Sequence, residues 1–167
     1  VATEGGHAGF APRTDLEIEV GRVLAREYGF VSWERILSGR GLVNIHRALC
    51  QIDGASWPGY RPEDITREAL ADPESMGARV VEFFCAALGG YVGDVAVLTG
   101  SRAGIYLGGG ILPRIRSLLE TSCFRARFLG RGPMTRYVSD IPIRLIQSDG
   151  AALRGAAALA EQGTRLS

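Results

Sequence analysis

One long apolar segment, residues 75–98, constrains the fold more than any other part of the sequence. Its large apolar side chains recur at helical spacing along one face, at Met76, Val80, Phe84 and Leu88. The segment therefore predicts a single long helix. Two consecutive glycines, Gly89 and Gly90, each cost about 1 kcal/mol relative to alanine in a helix interior. Their presence predicts that another element approaches this helix closely.

The same segment does not predict a membrane span. Four residues interrupt its most apolar part, residues 83–99: Gly89, Gly90, Gly93 and Asp94. A helix that crosses a bilayer needs about 18 or more predominantly apolar residues, and the sequence shows no signal peptide. We therefore expect a soluble protein that is located in the cytoplasm.

Composition and charge are those of an ordinary globular domain. Of 167 residues, 46% are hydrophobic and 22% are charged, and 19 basic residues face 18 acidic ones. This balance excludes a fibrous or disordered chain and provides no basic stripe for nucleic acid. The three cysteines are far apart, without the close spacing of a zinc site, and are typical of reduced thiols: Cys50, Cys85 and Cys123. We expect neither a nucleic-acid partner nor bound zinc.

Helices dominate the rest of the pattern. Besides the long segment, helical periodicity and capping residues predict helices at 14–28, 33–37, 42–52, 62–71, 112–121 and 151–162. Two short apolar strands are predicted, at residues 104–108 and 141–147. Few strands among many helices predict an α/β fold, in which helices cover a small buried sheet with some of its strands outside this chain. An independent all-α domain is the structural alternative.

The segment Glu4-Gly5-Gly6-His7 carries the first candidate site residues. Its glycines let the backbone bend and approach a ligand closely. A carboxylate and a neutral imidazole suit the hydroxyl groups of a small polar ligand such as a sugar, because the first accepts hydrogen bonds and the second both donates and accepts. The same residues would also form an ordinary solvated turn, and the motif alone favours that interpretation.

Two further segments carry candidate groups. Glu34 falls in the first turn of a predicted helix, where unpaired N–H groups favour a carboxylate, and by itself it indicates only a good N-terminal residue beside an exposed Arg35. A glycine turn between a strand and a helix suits a nucleotide, but it also suits a simple tight turn: Gly108, Gly109 and Gly110. These glycines match neither the dinucleotide fingerprint nor a Walker loop.

Taken together, these segments resemble the bacterial glucokinase family, which belongs to the hexokinase and actin-like ATPase superfamily. The resemblance runs in order through nearly the whole chain, at residues 4–7 (EGGH), 10–12 (FAP), 31–39 (VSWERILSG), 41–44 (GLVN), 65–66 (IT), 69–71 (ALA), 104–114 (GIYLGGGILPR) and 140–142 (DIP). It implies that the α/β fold is the carboxy-terminal part of a ribonuclease H-like (actin-like ATPase) domain, rich in helices and with a small buried sheet.

The resemblance also implies a function and a set of site residues. Members of the family transfer a phosphoryl group from ATP, with Mg²⁺ bound through the nucleotide, to D-glucose, which gives ADP and D-glucose 6-phosphate. Glu4 and His7 match residues that hydrogen-bond the glucose hydroxyls, Glu34 matches a second carboxylate near the anomeric end, and residues 108–110 match a segment of the adenosine pocket. The related ROK kinases add a zinc-binding cysteine cluster after this motif, and none follows His7. Glucose and ATP are thus the expected partners, and the family commonly forms homodimers.

The family's two phosphate loops and its Asn-Asp pair, whose Asp is the catalytic base, all precede the Glu-Gly-Gly-His motif. This sequence begins at Val1, just before that motif. We therefore expect residues 1–167 to be a single domain, the larger carboxy-terminal lobe, with the amino-terminal lobe and the catalytic Asp absent and no turnover by the chain alone. Two alternatives remain: a non-catalytic, sugar-sensing regulator of the same superfamily, or an interaction domain that binds no ligand.

Overall fold

The computed structural model describes residues 3–148 and 150–164; Val1 and Ala2, where the sequence begins, lie outside the described residues. In chain order the helices and strands are α1 (Asp15–Tyr28), α2 (Gly39–Ile52), α3 (Pro62–Ala71), α4 (Met76–Thr99), β1 (Ile105–Leu107), α5 (Arg116–Thr121), α6 (Phe124–Leu129), α7 (Thr135–Ser139), β2 (Ile143–Leu145) and α8 (Ala151–Thr164). Single turns of 3₁₀ helix lie at Gly5–His7, Trp33–Arg35 and Gly132–Met134.

Helices α1, α3 and α4 begin and end within one residue of the predicted bounds. Thr14 and Ser75 accept hydrogen bonds from backbone N–H groups in the first turns of α1 and α4, at 3.2 and 3.1 Å. Gly29 ends α1 with a φ of 71°, which favours glycine. In α2 the capping residue is Ser38, so this helix begins at Gly39 instead of residue 42.

The long helix predicted at residues 75–98 is α4, which lies at the centre of the fold and contacts α2, α3 and α6. Gly89 explains how closely α6 approaches, because a Cβ atom on Gly89 would overlap the backbone carbonyl oxygen of Phe124. A Cβ on Gly90 would instead make an ordinary contact of 3.9 Å with the guanidinium of Arg127. The predicted close approach is therefore confirmed at Gly89 and is not the reason for Gly90.

Helix α4 is also the one helix of the described residues that is long and apolar enough to cross a membrane. The mean hydropathy of its most apolar 18-residue window is 1.6. However, 67% of that window is buried inside the protein. Its apolar character is thus accounted for by packing against neighbouring helices, which is typical of a core helix.

The structure differs from the sequence prediction between residues 110 and 140. A helix is predicted from residue 112, but α5 begins only at Arg116, because residues 111–115 form hydrogen-bonded turns and Ile115 has a φ of −108° and a ψ of 22°, outside the helical region. Helices α6 and α7 are not predicted at all. They contain six and five residues, too few to establish a helical period in the sequence.

Strands β1 and β2 pair in parallel and form a two-stranded sheet. Both are shorter than predicted, and the sheet is buried on one face only: Leu107 is 8% exposed, whereas Tyr106 is 65% exposed. On the open face, Tyr106 and its register partner Arg144 contact each other, with the guanidinium carbon 5.6 Å from the ring centroid. The expectation of a buried sheet therefore holds for one face only, because successive side chains of a strand point to opposite faces.

The three cysteines are free thiols, as predicted. Cys50 and Cys85 are buried and Cys123 is partly buried. Burial raises the pKa of the Cys85 thiol to about 12 and that of Cys123 to about 11. Because the thiolate is the reactive form, Cys85 and Cys123 are inert near neutral pH.

The packing of α4 against α6 predicts opposite effects for neighbouring substitutions. Gly89→Ala should lower the free energy of unfolding by about 1–3 kcal/mol, because the added methyl group overlaps the α6 backbone. Gly90→Ala should instead raise it by up to about 1 kcal/mol through helix propensity alone. Urea denaturation of both variants measures the two free energies of unfolding, provided that the m-value stays unchanged. Equal effects of the two substitutions would contradict the proposed packing.

Candidate functional site

The two turns that carry the candidate sugar residues are joined by a short antiparallel pairing. Phe10 donates its N–H to the carbonyl oxygen of Val31 at 2.9 Å, and Trp33 donates its N–H to that of Ala8 at 3.0 Å. Residues 9 and 32 form the bridge between these two bonds. The pairing lies directly after the first turn and directly before the second. It therefore holds the two turns side by side although they are far apart in the sequence.

Trp33 anchors this pair of turns to the core. Its side chain is buried, and its ring lies edge-on to Phe10, with centroids 5.1 Å apart, and 4.9 Å from the ring of Tyr91 in α4. The hydroxyl of Tyr91 in turn lies against Gly5, where a Cβ atom would be only 2.8 Å away. A side chain at Gly5 would therefore have to displace the Tyr91 hydroxyl.

The turns border an open cavity of about 670 Å³. Such a volume lies within the range of small-molecule sites, about 300–1,000 Å³. The lining residues are His7, Tyr28, Phe30, Ser32, Glu34, Arg35, Ser38 and Arg40. A methyl group on Gly6 would lie 3.5 Å from the Oε2 atom of Glu34, so the first turn directly adjoins the carboxylate carried by the second.

The structure brings His7 and Glu34 into this cavity and leaves Glu4 at its edge. Glu4 does not line the cavity, but its Oε2 atom lies 3.6 Å from Nδ1 of His7. The side chains of Glu4 and His7 are 89% and 71% exposed. Within the part of the chain that the structure describes, the Glu34 carboxylate has no hydrogen-bond partner. The three side chains therefore retain hydrogen-bonding capacity for a polar ligand.

The helix predicted at residues 33–37 is a single 3₁₀ turn, and Arg35 is not the exposed neighbour that the sequence suggests. Arg35 is half-buried, with its guanidinium carbon 4.1 Å from the ring centroid of Tyr28. The side-chain amide of Asn44 donates to the carbonyl oxygen of Arg35 at 2.9 Å and accepts from the Tyr28 hydroxyl at 3.0 Å. Sequence reasoning assigned none of these three residues to the site. Asn44 and His46 are the two polar side chains buried on α2, and a polar residue in that apolar pattern was the signal that could have revealed Asn44.

The candidate nucleotide residues lie in a different place. Gly110 lines a second, smaller cavity of about 220 Å³, together with Gly39, Leu42, Pro62, Glu63, Thr66, Ile111 and Arg114. Gly108 and Gly109 do not line it, although Gly109 has a φ of 118°, a conformation that favours glycine. Because α5 begins only at Arg116, the glycine turn is not followed at once by a helix N-terminus.

The first turn of α2 separates the two cavities. Ser38 and Arg40 line the larger one, whereas Gly39 lines the smaller one. One turn of helix rises by only about 5.4 Å. The Ser38 hydroxyl donates to the carbonyl oxygen of Glu34 at 2.8 Å and accepts from the N–H of Gly41 at 2.9 Å, so it ties the Glu34 turn to this helix. The arrangement can hold two small groups on opposite sides of one helical turn.

Among the residues that the structure describes, no group of three or more His, Cys, Asp or Glu side chains is placed to hold a metal ion. The expectation that the protein binds no zinc stays a prediction.

Comparison with known proteins gives consistent similarities. A family model for glucokinase matches residues 1–163. The curated glucokinase of Chromobacterium violaceum is 44% identical over 158 residues, which cover 95% of this chain and 45% of that protein. The glucokinase of Shigella sonnei is 41% identical over 155 residues, which cover 93% of this chain and 48% of that protein. The chain spans about half the length of the curated relatives it matches.

Two solved glucokinase structures superpose on this chain. A crystal structure of a glucokinase from an Antarctic psychrotroph superposes with a TM-score of 0.88 at 33% identity, covering 97% of this chain and 50% of that one. A glucokinase from Balamuthia mandrillaris in complex with glucose superposes with a TM-score of 0.70 over 87% of this chain and 42% of that one. At 19% identity, the second likeness concerns the fold alone.

Proposed function

The chain belongs to the glucokinase family, and we propose that it is the carboxy-terminal, sugar-holding part of an ATP-dependent glucokinase. The proposed reaction transfers the γ-phosphoryl group of ATP to the 6-hydroxyl of D-glucose and yields ADP and D-glucose 6-phosphate. One observation carries the proposal: His7 and Glu34 converge on a single cavity, and Glu4 lies 3.6 Å from His7 at its edge.

In this proposal Glu4, His7 and Glu34 position the sugar and move no proton. Ionised carboxylates accept hydrogen bonds from neighbouring hydroxyls, and a neutral imidazole can donate one and accept another. Fixing the ring orients its 6-hydroxyl toward the γ-phosphoryl group, which supplies the in-line geometry that phosphoryl transfer requires. The exposure of these side chains supports the assignment: Glu4 and His7 contact only each other at the surface, and the Glu34 carboxylate has no hydrogen-bond partner among the described residues.

The smaller cavity is proposed to face the adenosine of ATP. Pro62 and Ile111 offer apolar surface there, and Gly110 lets the nucleotide approach the backbone. Mg²⁺ would be held by the phosphates of ATP and would supply the charge neutralisation that phosphoryl transfer needs. The first turn of α2 then lies between the sugar and the nucleotide.

We further propose that residues 1–167 form the larger carboxy-terminal lobe of a ribonuclease H-like (actin-like ATPase) domain, in a cytoplasmic protein that can form homodimers. The catalytic Asp and the phosphate loops would lie on an amino-terminal lobe outside this chain. Matches that extend over about half of each relative support this division. A cavity open to solvent suits closure by a second lobe, which excludes water from the γ-phosphoryl group. The chain alone should bind glucose weakly and release no ADP.

The first test removes the negative charge of each carboxylate in the full-length protein. Glu4→Gln and Glu34→Gln should each raise the KM for glucose about 10- to 100-fold, because a hydrogen bond to a charged group contributes about 1.5–3 kcal/mol. Glu19→Gln, at an exposed position of α1 away from both cavities, is the matched control and should leave the KM unchanged. Steady-state kinetics with ATP at saturation measure the effect.

An unchanged KM for glucose in both variants would remove the sugar-binding assignment. Glucose binding without any ADP release by the full-length protein would favour the sugar-sensing regulator. If neither glucose nor ATP raised the melting temperature, the interaction domain without a ligand would be preferred.

A second test concerns the nucleotide side. Gly110→Val should raise the KM for ATP by roughly tenfold, equivalent to about 1.4 kcal/mol, while leaving the KM for glucose unchanged. A Cβ on Gly110 meets nothing within 4 Å, so the melting temperature should hardly change. Gly155→Ala, equally open but on α8, is the control. An unchanged KM for ATP in Gly110→Val would exclude Gly110 from the nucleotide site.

A further inference from the structure

Asn44 does not line the larger cavity, yet its side chain is hydrogen-bonded to the turn that carries Glu34. Its side chain lies on the buried face of α2 and is 3% exposed. We propose that Asn44 is a positioning residue, which sets the direction of the Glu34 carboxylate and thereby the affinity of the cavity for sugar. The proposal rests on the proposed function, in which Glu34 contacts the sugar.

The Asn44 amide can have only one orientation in this environment. The carbonyl oxygen of Arg35 can only accept a hydrogen bond, so the nitrogen Nδ2 must face it, at 2.9 Å. The oxygen Oδ1 then faces the hydroxyl of Tyr28, which donates to it at 3.0 Å. A rotated amide would bring two acceptors together at Arg35. The side chain is thus fixed at both ends.

These bonds form part of a closed ring of contacts. Asn44 holds the backbone of Arg35, the guanidinium of Arg35 lies over the ring of Tyr28, and the hydroxyl of Tyr28 returns to Asn44. Arg47, also on α2, donates to the same hydroxyl at 3.4 Å. This closed set of contacts joins the end of α1, the 3₁₀ turn and α2. It does so at Arg35, the residue that directly follows Glu34.

The Glu34 side chain depends on this backbone support. Its carboxylate has no hydrogen-bond partner within the described residues, so the direction of the side chain follows from the backbone of its turn. Two side chains of the α2 region donate hydrogen bonds to consecutive backbone carbonyl groups of this turn. Ser38 donates to the carbonyl oxygen of Glu34, and Asn44 donates to that of Arg35. Ser38 lines the cavity and also caps the helix, whereas Asn44 acts only from behind the turn.

The test replaces Asn44 by an apolar residue of similar size in the full-length protein. Asn44→Leu should raise the KM for glucose by about tenfold, the equivalent of one net hydrogen bond. The kcat should change less than about twofold, and the KM for ATP should be unchanged, because a positioning residue of the sugar site affects neither the nucleotide nor the phosphoryl transfer itself.

Two controls separate positioning from general destabilisation. Tyr28→Phe keeps the bond from Asn44 to Arg35 and the ring under the guanidinium, so its KM for glucose should rise less than that of Asn44→Leu. Ser75→Ala removes the cap of α4 and should lower the melting temperature without changing the KM for glucose. If Asn44→Leu resembled Ser75→Ala in both respects, Asn44 would be a purely structural residue.

A double-mutant cycle with Glu34→Gln identifies the route of the effect. If Asn44 acts through Glu34, adding Asn44→Leu to Glu34→Gln should raise the KM for glucose by much less than it does in the wild-type background. Full additivity would overturn the proposal. A Glu34→Gln variant with an unchanged KM would instead overturn the proposed function of Glu34. Should Asn44→Leu not fold, Asn44→Ser, whose side chain is too short to reach both partners, takes its place in the cycle with the same expected outcomes.

Discussion

The candidate site depends on the antiparallel pairing of residues 8–10 with residues 31–33. Two backbone hydrogen bonds, of 2.9 and 3.0 Å, hold the turn with His7 against the turn with Glu34. Trp33, at the end of this pairing, is buried against Tyr91 of α4. The core thus fixes the positions of the two turns relative to each other. The side chains of His7 and Glu34 can therefore remain exposed while their backbones stay in place.

Helix α2 gives the arrangement its second constraint. Ser38 and Asn44 hold the carbonyl groups of two consecutive residues, Glu34 and Arg35, and the first turn of α2 separates the larger cavity from the smaller one. In the proposed function, a sugar on one side of this turn would lie next to a nucleotide on the other.

The elements with a long period or a capping residue could be predicted from the sequence, and the contacts that assemble the site could not. Helix α4 follows from its apolar face, and α1 from Thr14 and Gly29. The helices α6 and α7 are too short to show a period, and the pairing around Gly9 has no alternation of apolar and polar residues. The residues Glu4, His7 and Glu34 were identified by their resemblance to a family motif, whereas the contacts of Asn44 depend on three elements that meet only in the folded chain.

Glucose-dependent release of ADP by the full-length protein, with this chain alone as the control, tests the central claim most directly. We expect the full-length protein to release ADP from ATP only when glucose is present, and the chain alone to release none. The absence of ADP release from the full-length protein at saturating glucose and ATP would contradict the assignment of this chain to a working glucokinase. Turnover by the chain alone would contradict the division of the active site between two lobes.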